Sequence, residues 1–186
     1  MRAAPTMTAE EFMELPLPEH GRPWSLVEGE VVMNHPTPLH GRVQTRLIVA
    51  LADWIRAGSN RGEVFVPLDV RIDDRNVYAP DVLWYAHGRA PGTDAKPIVR
   101  MPDLAVEVRS PSTWRYDIGV KKAGYEREGL RELWLVDTAA DELLLFRRSA
   151  ADAAAFDIAL QLAGNDTLTS PRLPRFALVL DELFGE

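Results

Sequence analysis

The sequence predicts an α/β or α+β domain in which helices flank a mixed central sheet. Three observations lead to this prediction: a long stretch with apolar residues at helical spacing, several strand-like apolar runs, and a second helical stretch among the later runs. The order helix, hairpin, helix, strands, helix, strands is typical of such layered domains. With 186 residues the chain can bury a sizeable core, so we expect a single domain over residues 1–186.

The N-terminal part predicts a short helix followed by a β-hairpin. Thr8 to Glu11 reads T-A-E-E, a capping box that typically opens a helix. Pro16 and Pro18 then prevent the helix from continuing. The segment WSLVEGEVVM, residues 24–33, has two short apolar runs around a central E-G-E, and this pattern is typical of a hairpin.

The clearest helix is predicted over residues 40–57. Its apolar residues recur at helical spacing, and Gly58 supplies a C-terminal stop. These apolar residues are Val43, Leu47, Ala50, Leu51, Trp54 and Ile55. Such a stripe indicates a helix face that packs on a core.

Strand signals accumulate in the middle of the chain, and a second helix is predicted among them. The predicted strands lie at 63–72, 81–86, 103–108, 131–137 and 142–148, and the last two are joined by a tight turn at 138–141. Residues 110–129 predict the second helix, closed by Gly129. The segment 176–184 predicts a short strand or turn leading into a helical turn. Residues 86–97 predict a loop, and 149–157 a loop or a short helix.

The composition is that of a soluble globular protein, with 46% hydrophobic and 26% charged residues. The absence of cysteine excludes a disulfide framework, a thiolate zinc site and a cysteine nucleophile. Because the N-terminus lacks a signal peptide's apolar stretch and no apolar run is long enough to span a bilayer, we expect a cytoplasmic protein. The net charge of −7 argues against a general polyanion binder, although a local basic patch with a bound metal can outweigh it.

Three residues form the constellation with the clearest chemistry. Asp81 follows Pro80 where a strand begins, Glu107 interrupts the apolar strand LAVEV, and Lys121 lies in the helix that follows. Mg²⁺ is typically held by one or two carboxylates together with water and phosphate oxygens. A neighbouring lysine can orient a nucleophile or neutralise charge on a phosphate. If the two strands are neighbours and the helix packs across their ends, the three side chains converge on a metal site.

Each of these residues also has a simpler interpretation. Asp81 can be a turn or strand-edge cap. Glu107 can face water on a half-exposed strand, although its apolar neighbours favour a partner such as a cation. Lys121 can be a solvated helix residue paired with Asp117 four positions earlier. The residues alone therefore leave the metal site as one of two interpretations.

Several segments together resemble a known family. PDLAVEVRSPST, YDIGVKKAGY and RELWLVD follow one another as they do in the bacterial "putative restriction endonuclease" family called Uma-two, which is assigned to the PD-(D/E)XK nuclease superfamily. The resemblance extends over about residues 7–184 and includes MTAEEFMELP, LVEGEVVM, PLHGRV, PLDVRIDDRNVYAPDV and DELF. It implies a restriction-endonuclease-like core, about residues 24–148, with a metal site at a sheet edge and an N-terminal helix and hairpin beside it.

The resemblance also implies roles for individual residues. Asp81 and Glu107 occupy the acidic positions of the motif and would bind Mg²⁺ or Mn²⁺. The position of the usual lysine is held here by Arg109, so Lys121 on the next helix is the expected substitute, ahead of Lys122. The backbone carbonyl of Val108 is a further ligand by analogy.

Four more residues are possible accessories to the site. The family often has an acidic residue at the position of Ser25, and Glu28 and Glu30 are then candidates to replace it, or else surface charges of the hairpin. His40 in PLHGRV can touch phosphate or order water, or simply cap the helix start. Tyr125 can stack on a base, although core packing is the commoner fate of such a ring. Trp114, on the same helix, carries the same two interpretations.

The function implied is a Mg²⁺-dependent endonuclease that hydrolyses phosphodiester bonds of DNA, with Asp81, Glu107 and Lys121 as catalytic residues. A homodimer is expected, because enzymes that cut two strands often pair their sites and dimers are the commonest assembly. The alternative is a catalytically silent nucleic-acid-binding or partner-binding domain on the same fold, favoured by the acidic charge, Arg109 and Ser25. A third possibility is a metal hydrolase for another phosphate ester, since fold does not decide substrate.

Overall fold

The computed structural model of the protein describes residues 6–16, 24–93 and 98–185. The helices are α1 (Ala9–Met13), α2 (Pro38–Arg56), α3 (Trp114–Tyr116), α4 (Lys122–Arg127) and α5 (Leu180–Phe184), and a π-helical turn (Asp117–Lys121) joins α3 to α4. The strands are β1 (Trp24–Val27), β2 (Glu30–Met33), β3 (Glu63–Phe65), β4 (Asp69–Asp73), β5 (Asn76–Tyr78), β6 (Val82–Tyr85), β7 (Ile98–Val99), β8 (Leu104–Val108), β9 (Glu132–Asp137), β10 (Glu142–Arg147), β11 (Ile158–Ala163), β12 (Thr167–Ser170) and β13 (Leu173–Val179).

A six-stranded sheet with the order β11-β10-β9-β8-β6-β3 forms the centre of the molecule. β8 and β9 are parallel, and the other neighbours in this sheet are antiparallel. A second sheet has the order β2-β1-β5-β4-β7, and β12 pairs with β13 in a two-stranded ribbon. The predicted fold class, a mixed central sheet flanked by helices with an N-terminal helix and hairpin, is confirmed.

The central sheet is covered on both faces. On one face the apolar stripe of α2, represented by Leu47 and Trp54, packs on alternate strand residues such as Val106 and Trp134. On the other face the second sheet and α4 pack on the intervening residues, among them Leu133. Because a strand alternates its side chains between faces, β8 sends Leu104, Val106 and Val108 to the α2 side and Ala105 to the other side. Glu107 shares the side of Ala105, and all five residues of β8 are buried.

The N-terminal elements follow the sequence prediction. Thr8 Oγ1 accepts a hydrogen bond from Glu11 N at 3.2 Å, and Thr8 N donates to Glu11 Oε2 at 2.8 Å, which completes the capping box of α1. β1 and β2 form the hairpin, and its two central residues, Glu28 (φ 52°) and Gly29 (φ 81°), have the positive φ values of a type I′ turn. The helix ends before Pro16, and Pro18 lies outside the described residues.

The long helix begins slightly earlier than predicted. Thr37 is its N-cap and accepts from His40 N at 3.2 Å, while Pro38 occupies the first helical position, where no amide hydrogen is needed. The helix ends at Arg56, close to the predicted end at Gly58. This start places His40 in the first turn of α2, and the turn lies over one end of the central sheet.

The prediction of one strand over residues 63–72 is wrong. The segment splits into β3 in the central sheet and β4 in the second sheet, and residues 66–68 between them leave the ladder because Pro67 cannot donate a hydrogen bond there. Four strands were not predicted: β5, β7, β11 and β12. The first two are very short, and β11 is rich in alanine and leucine, which carry a weak strand signal.

The loop and tail predictions agree with the structure where it describes them. Residues 86–93 form turns, residues 94–97 of the same predicted loop lie outside the described part, and 149–157 contain turns and no helix. The tail forms β13 followed by α5, although the strand starts three residues before the predicted 176. Across residues 6–16, 24–93 and 98–185, no helix has the length and apolar character needed to cross a bilayer.

Candidate functional site

Asp81 and Glu107 meet where the strands β6 and β8 lie side by side. The antiparallel register pairs Val82 with Val106, so the preceding and following residues, Asp81 and Glu107, come to the same end of the pair. The two segments are also tied together, because Val108 N donates a hydrogen bond of 2.7 Å to Asp81 Oδ2. Asp81 and Glu107 are each 3% exposed. Neighbouring strands therefore bring two buried carboxylates into one site.

Glu107 is tolerated in its buried strand because it has two hydrogen-bond donors. Tyr125 donates its hydroxyl to Glu107 Oε1 at 2.7 Å, and Lys121 Nζ contacts the same oxygen at 3.2 Å. Both contacts go to Oε1, which leaves Oε2 available as a ligand among the described residues. The interpretation of a solvent-facing glutamate does not agree with this burial, and the interpretation of a cationic partner does.

The helix that follows β8 delivers Lys121 through its π-helical turn. Residues four apart on an α-helix drift by about 40°, and a wider π turn counteracts that drift. Asp117, Lys121 and Tyr125 are accordingly all buried on one side of the helix. π turns of this kind are frequent at functional sites. Gly124 lets the helix approach closely, since a Cβ there would lie 2.7 Å from the Tyr78 hydroxyl oxygen.

Asp117 is a third buried carboxylate, and the sequence identified it only as a helical partner of the lysine. Lys121 Nζ lies 2.9 Å from Asp117 Oδ1, so the lysine bridges Asp117 and Glu107. Thr113 donates its hydroxyl to Asp117 Oδ2 at 3.2 Å, and Ser110 contacts Thr113 at 2.8 Å.

The electrostatics of this cluster are dominated by burial and by an excess of acid. Burial raises the pKa of Glu107 from 4.5 to about 8, although Lys121 opposes the shift. Burial also raises the pKa of Asp117, again against the effect of Lys121. Burial disfavours the charged form of Lys121, yet the carboxylates of Asp117 and Glu107 outweigh it and raise the pKa of the lysine. The lysine therefore stays protonated at neutral pH.

Helix α2 closes the other side of the site. His40 is 2% exposed, and its Nε2 lies 3.2 Å from Asp81 Oδ1. Gln44, one turn later, donates from Nε2 to the backbone carbonyl of Asp81 at 2.8 Å. Of the predicted accessory residues, His40 is thus at the site, and Gln44 is a further contact that sequence reasoning missed.

Arg109, which occupies the position of the usual lysine, is engaged elsewhere. Its guanidinium binds both oxygens of Asp137, at 2.8 and 2.9 Å, and lies 5.6 Å from the ring centre of Trp114. A single nitrogen, Nη1, makes both contacts, and they hold the guanidinium against Asp137. Lys121, rather than Arg109, supplies the amine of the cluster.

The other predicted accessories differ in where they lie. Tyr125 is fully buried at the site, where its ring packs at 5.2 Å from that of Tyr78, so core packing accounts for the ring and Glu107 for its hydroxyl. Glu28 and Glu30 are exposed around the hairpin turn, and no contact among the described residues joins them to the cluster. Ser25 is buried and accepts a hydrogen bond from Ala79 N at 3.2 Å.

The donor set fits a hard divalent cation. Asp81 and Glu107 supply two carboxylates, which is the number that Mg²⁺ commonly takes from a protein. Within residues 6–16, 24–93 and 98–185, no group of three or more His, Cys, Asp and Glu side chains could hold a metal ion, so water and phosphate oxygens would have to complete the coordination. Burial raises the pKa of Glu107 to about 8, and the nearby Asp117 and Asp81 add to this shift. A cation bound beside Glu107 would favour its ionised form.

Known proteins share the family and the fold of this chain. A family model described as "Putative restriction endonuclease" matches residues 9–181. The chain belongs to the Uma2 family. Among solved structures, it resembles one described as "a putative nuclease belonging to DUF820" from Anabaena variabilis ATCC 29413, with 18% identity, a TM-score of 0.80, and coverage of 96% of this chain and 97% of that chain. No curated protein matches the chain.

Membership of the Uma2 family confirms the resemblance seen in the sequence. The likeness to the Anabaena protein shows that the two chains share their fold over nearly their whole lengths. Family and fold together support a nuclease, while the roles of the individual side chains follow from the contacts described above.

Proposed function

We propose that this Uma2 protein is a metal-dependent endonuclease that hydrolyses phosphodiester bonds of DNA, with Mg²⁺ or Mn²⁺ as its cofactor. One observation carries the proposal: Asp81 and Glu107, distant in sequence, lie together at the end of two adjacent strands with the amine of Lys121 beside them. This is the combination of acids and amine that phosphoryl chemistry uses.

Asp81 and Glu107 would hold the metal, and the backbone carbonyl of Val108 is a further ligand by analogy with the family. A bound divalent ion would supply charge stabilisation at the phosphate and would lower the pKa of a water molecule. Asp81 is already oriented by the Val108 amide and the Gln44 side chain, so little reorganisation is needed before it binds. Because the cluster is almost closed to solvent, we expect substrate binding to open the segments around it.

Lys121 would act as a hydrogen-bond donor and not as a base. Asp117 and Glu107 raise the pKa of the lysine against the effect of burial, so the amine is protonated at neutral pH. A protonated amine at this position can orient a water molecule or neutralise charge on a phosphate oxygen. Asp117 fixes the amine from the opposite side and is a positioning residue for it.

The alternative of a catalytically silent binding domain is less well supported. It drew on the replacement of the usual lysine by Arg109, but Lys121 reaches Glu107 from the next helix. The homodimer expected from the sequence stays a prediction. An endonuclease that cuts both DNA strands would benefit from two such sites.

A plasmid-cleavage assay tests the proposal. Purified protein and the Glu107→Gln variant are incubated with supercoiled plasmid and Mg²⁺ or Mn²⁺, and nicked and linear products are measured. We expect cleavage by the natural protein and a loss of at least about a hundredfold in the variant, because a metal ligand and the lysine's partner are both altered. Lys122→Gln is the matched control, since Lys122 is next to Lys121 but contacts the ring of Phe146 at 4.6 Å.

Two results would contradict the proposal. Equal cleavage by the natural protein and Glu107→Gln would remove the role assigned to Glu107. Absence of cleavage of plasmid and of single-stranded DNA with either metal would leave the silent binding domain as the better interpretation. Circular dichroism of each variant establishes that a lost activity reflects the site and not the fold.

A further inference from the structure

The strand β11 is the outermost strand of the central sheet, and no strand among the described residues pairs with its outer edge. Along such an edge, alternate backbone amides and carbonyls have no partner in the sheet. Four of the six residues of β11 are exposed, and Leu160 among them is 43% exposed. The outer edge of β11 is therefore both unpaired and apolar.

This edge lacks the features that usually keep an edge strand from pairing with another chain. Its sequence, IALQLA, contains no charged residue and no proline, and its pairing with β10 continues through all six residues. At the opposite edge of the same sheet, β3 has only three residues and begins with the exposed Glu63. Of the two edges of the central sheet, β11 is the one that is suited to accept a further strand.

The sequence of β11 is complementary to itself. Residues 159–163 read A-L-Q-L-A, which is the same in both directions. If two copies of the strand run antiparallel about a twofold axis at Gln161, Leu160 of one copy lies opposite Leu162 of the other. Ala159 then lies opposite Ala163. A second copy of this chain is therefore the partner that matches this edge residue by residue.

Such a pair would cover apolar surface on one face of the sheet. Leu160 and Leu162 lie opposite Leu145 and Leu143 of β10, which belong to the core on the α2 side. Because opposed residues of an antiparallel pair project to the same face, the leucines of both copies would meet on this side. The core of each copy would then continue across the twofold axis.

A groove at the end of β11 has room for a side chain of the second copy. Its volume is about 400 Å³, and its lining includes Gly164 and Phe184. A Cβ at Gly164 would meet no atom nearer than Asp181 Oδ1 at 4.0 Å, so the groove is open above this glycine. In the register centred on Gln161, Ile158 of the second copy comes opposite Gly164 and can enter the groove against Phe184.

The two ends of the β10–β11 pair carry opposite charges. Arg147 lies beside the start of β11, whereas Asp141 and Glu142 lie beside its end. The twofold arrangement brings the start of each β11 next to the end of the other, so the basic end of one copy meets the acidic end of its partner. Asp157, which is also at the start, is already bound by Ser149 N at 2.7 Å. Charge therefore favours the antiparallel arrangement.

We propose that β11 is a dimerisation edge at which two copies of the chain pair antiparallel about Gln161, so that their central sheets form one continuous sheet. The inference gives the expected homodimer a specific interface, and it does not depend on the proposed metal site. A single strand pair is smaller than a standard interface of about 1,600 Å². We therefore expect a dissociation constant of roughly 1–100 µM.

Sedimentation velocity of the untagged protein, at concentrations from about 2 to 200 µM, tests the assembly. We expect the average mass to rise from that of a monomer toward that of a dimer. Leu160→Lys places a charge within the apolar pair and should leave a monomer throughout. Val49→Lys is the matched control, because Val49 is an aliphatic residue of α2 with 50% exposure and should leave dimerisation unchanged.

Disulfide trapping tests the register, because the chain has no natural cysteine. Gln161→Cys places two thiols opposite each other, at a Cα separation of about 4.5–5.5 Å, which a disulfide can span. We expect a covalent dimer under mild oxidation. Met33→Cys is the matched control, since Met33 is 51% exposed on β2, an edge strand of the second sheet, and should stay monomeric.

Two results would overturn the inference. One is a monomer at every concentration, together with no trapping of Gln161→Cys. The other is a dimer that persists in Leu160→Lys, or that is trapped as readily through Met33→Cys as through Gln161→Cys, since the interface would then lie elsewhere. Trapping of Gln161→Cys is decisive even if Leu160→Lys does not fold. Neither experiment measures metal binding or cleavage, so their failure would leave the proposed function standing.

Discussion

Two groups of buried carboxylates lie at opposite ends of the parallel strands β8 and β9, and they are built differently. Asp103 and Glu132 lie at the amino ends of these strands, at 2% and 1% exposure. Asp81, Glu107 and Asp117 gather at the opposite end, and they are just as deeply buried. Burial alone therefore does not distinguish the two groups.

The acids at the amino end are matched by donors. Asp103 accepts from Ala86 N and from Arg89 Nε, both at 2.9 Å. Glu132 accepts from Trp134 Nε1 at 2.8 Å and from the Ser170 hydroxyl at 2.7 Å. Buried acids that are satisfied in this way stabilise a fold and have little capacity left for a ligand.

The acids at the carboxyl end outnumber the cations that lie among them, although each acid has a hydrogen-bond donor or an ion-pair partner. Lys121 is shared between Glu107 and Asp117, and the imidazole beside Asp81 makes no hydrogen bond. Burial raises the pKa of Glu107 to about 8, Lys121 only partly opposes this shift, and Asp117 and Asp81 add to it. A shortage of positive charge among buried acids, and not the burial of acids as such, is what distinguishes a candidate cation site from a structural one.

The largest expected effect is the loss of stability in Lys121→Met. The substitution leaves the buried Asp117 without its cation and takes one hydrogen-bond donor from Glu107. Breaking a buried ion pair from one side costs about 3–5 kcal/mol. Urea unfolding at pH 7 measures the change. Lys122→Met, at the next residue, is the control and should cost about 1 kcal/mol or less, since it removes contacts of an ammonium with the rings of Phe146 and Phe156 and breaks no ion pair with a buried acid.

A loss below about 1 kcal/mol in Lys121→Met would contradict the comparison. It would mean that the donors other than Lys121 already satisfy the acids at the carboxyl end as well as Asp103 and Glu132 are satisfied. The same variant should lose plasmid cleavage, because the amine beside the acids is gone.

The next largest expected effect is a dependence of folding stability on pH, caused by Glu107. Burial raises the pKa of Glu107 from 4.5 to about 8, so between these values the folded protein keeps a proton that the unfolded chain has lost. Stability should therefore fall as pH rises through this window, by about 1.4 kcal/mol per pH unit at most. Glu107→Gln lacks that titration, and its stability relative to the natural protein should rise with pH by a few kcal/mol in total.

Glu132→Gln is the matched comparison from the other group. Burial raises the pKa of Glu132 too, but the hydrogen bonds from Ser170 and Trp134 stabilise its ionised form. Its removal should change the pH dependence less than removal of Glu107. Chemical unfolding at several pH values between 4.5 and 8 measures both variants, and parallel curves for Glu107→Gln and the natural protein would rule out the buried proton.

Much of the fold could be predicted from the sequence because local signals agreed with it. The capping box at Thr8, the E-G-E turn and the stripe of α2 each specify an element by their own chemistry. The division of residues 63–72 between two sheets could not be predicted, since it depends on which neighbours each half meets. The same holds for β11, whose strand form comes from pairing with β10 and not from its composition.

The candidate site, like the fold, could be predicted from the sequence only in part. The pattern around Asp81, Glu107 and Lys121 was visible in the sequence, because a carboxylate in an apolar strand is costly to bury without a partner. The contribution of Asp117 was not visible, since the spacing of Asp117 and Lys121 also describes an ordinary surface pair. The two side chains face the interior only because of the π-helical segment and because this side of the helix is buried.

The smallest expected effect is that of Arg89→Met at the amino end of the strands. The side chain of Arg89 is 42% exposed, and Asp103 keeps the Ala86 amide and the guanidinium of Arg131, 3.7 Å away, when Arg89 is removed. Exposed ion pairs contribute about 0–1 kcal/mol, so urea unfolding should show a loss in that range, several times smaller than for Lys121→Met. A loss equal to that of Lys121→Met would show that the acids of both groups depend on single cations. The two ends of the strands would then be equally short of positive charge, and this shortage could not separate a cation site from a structural cluster.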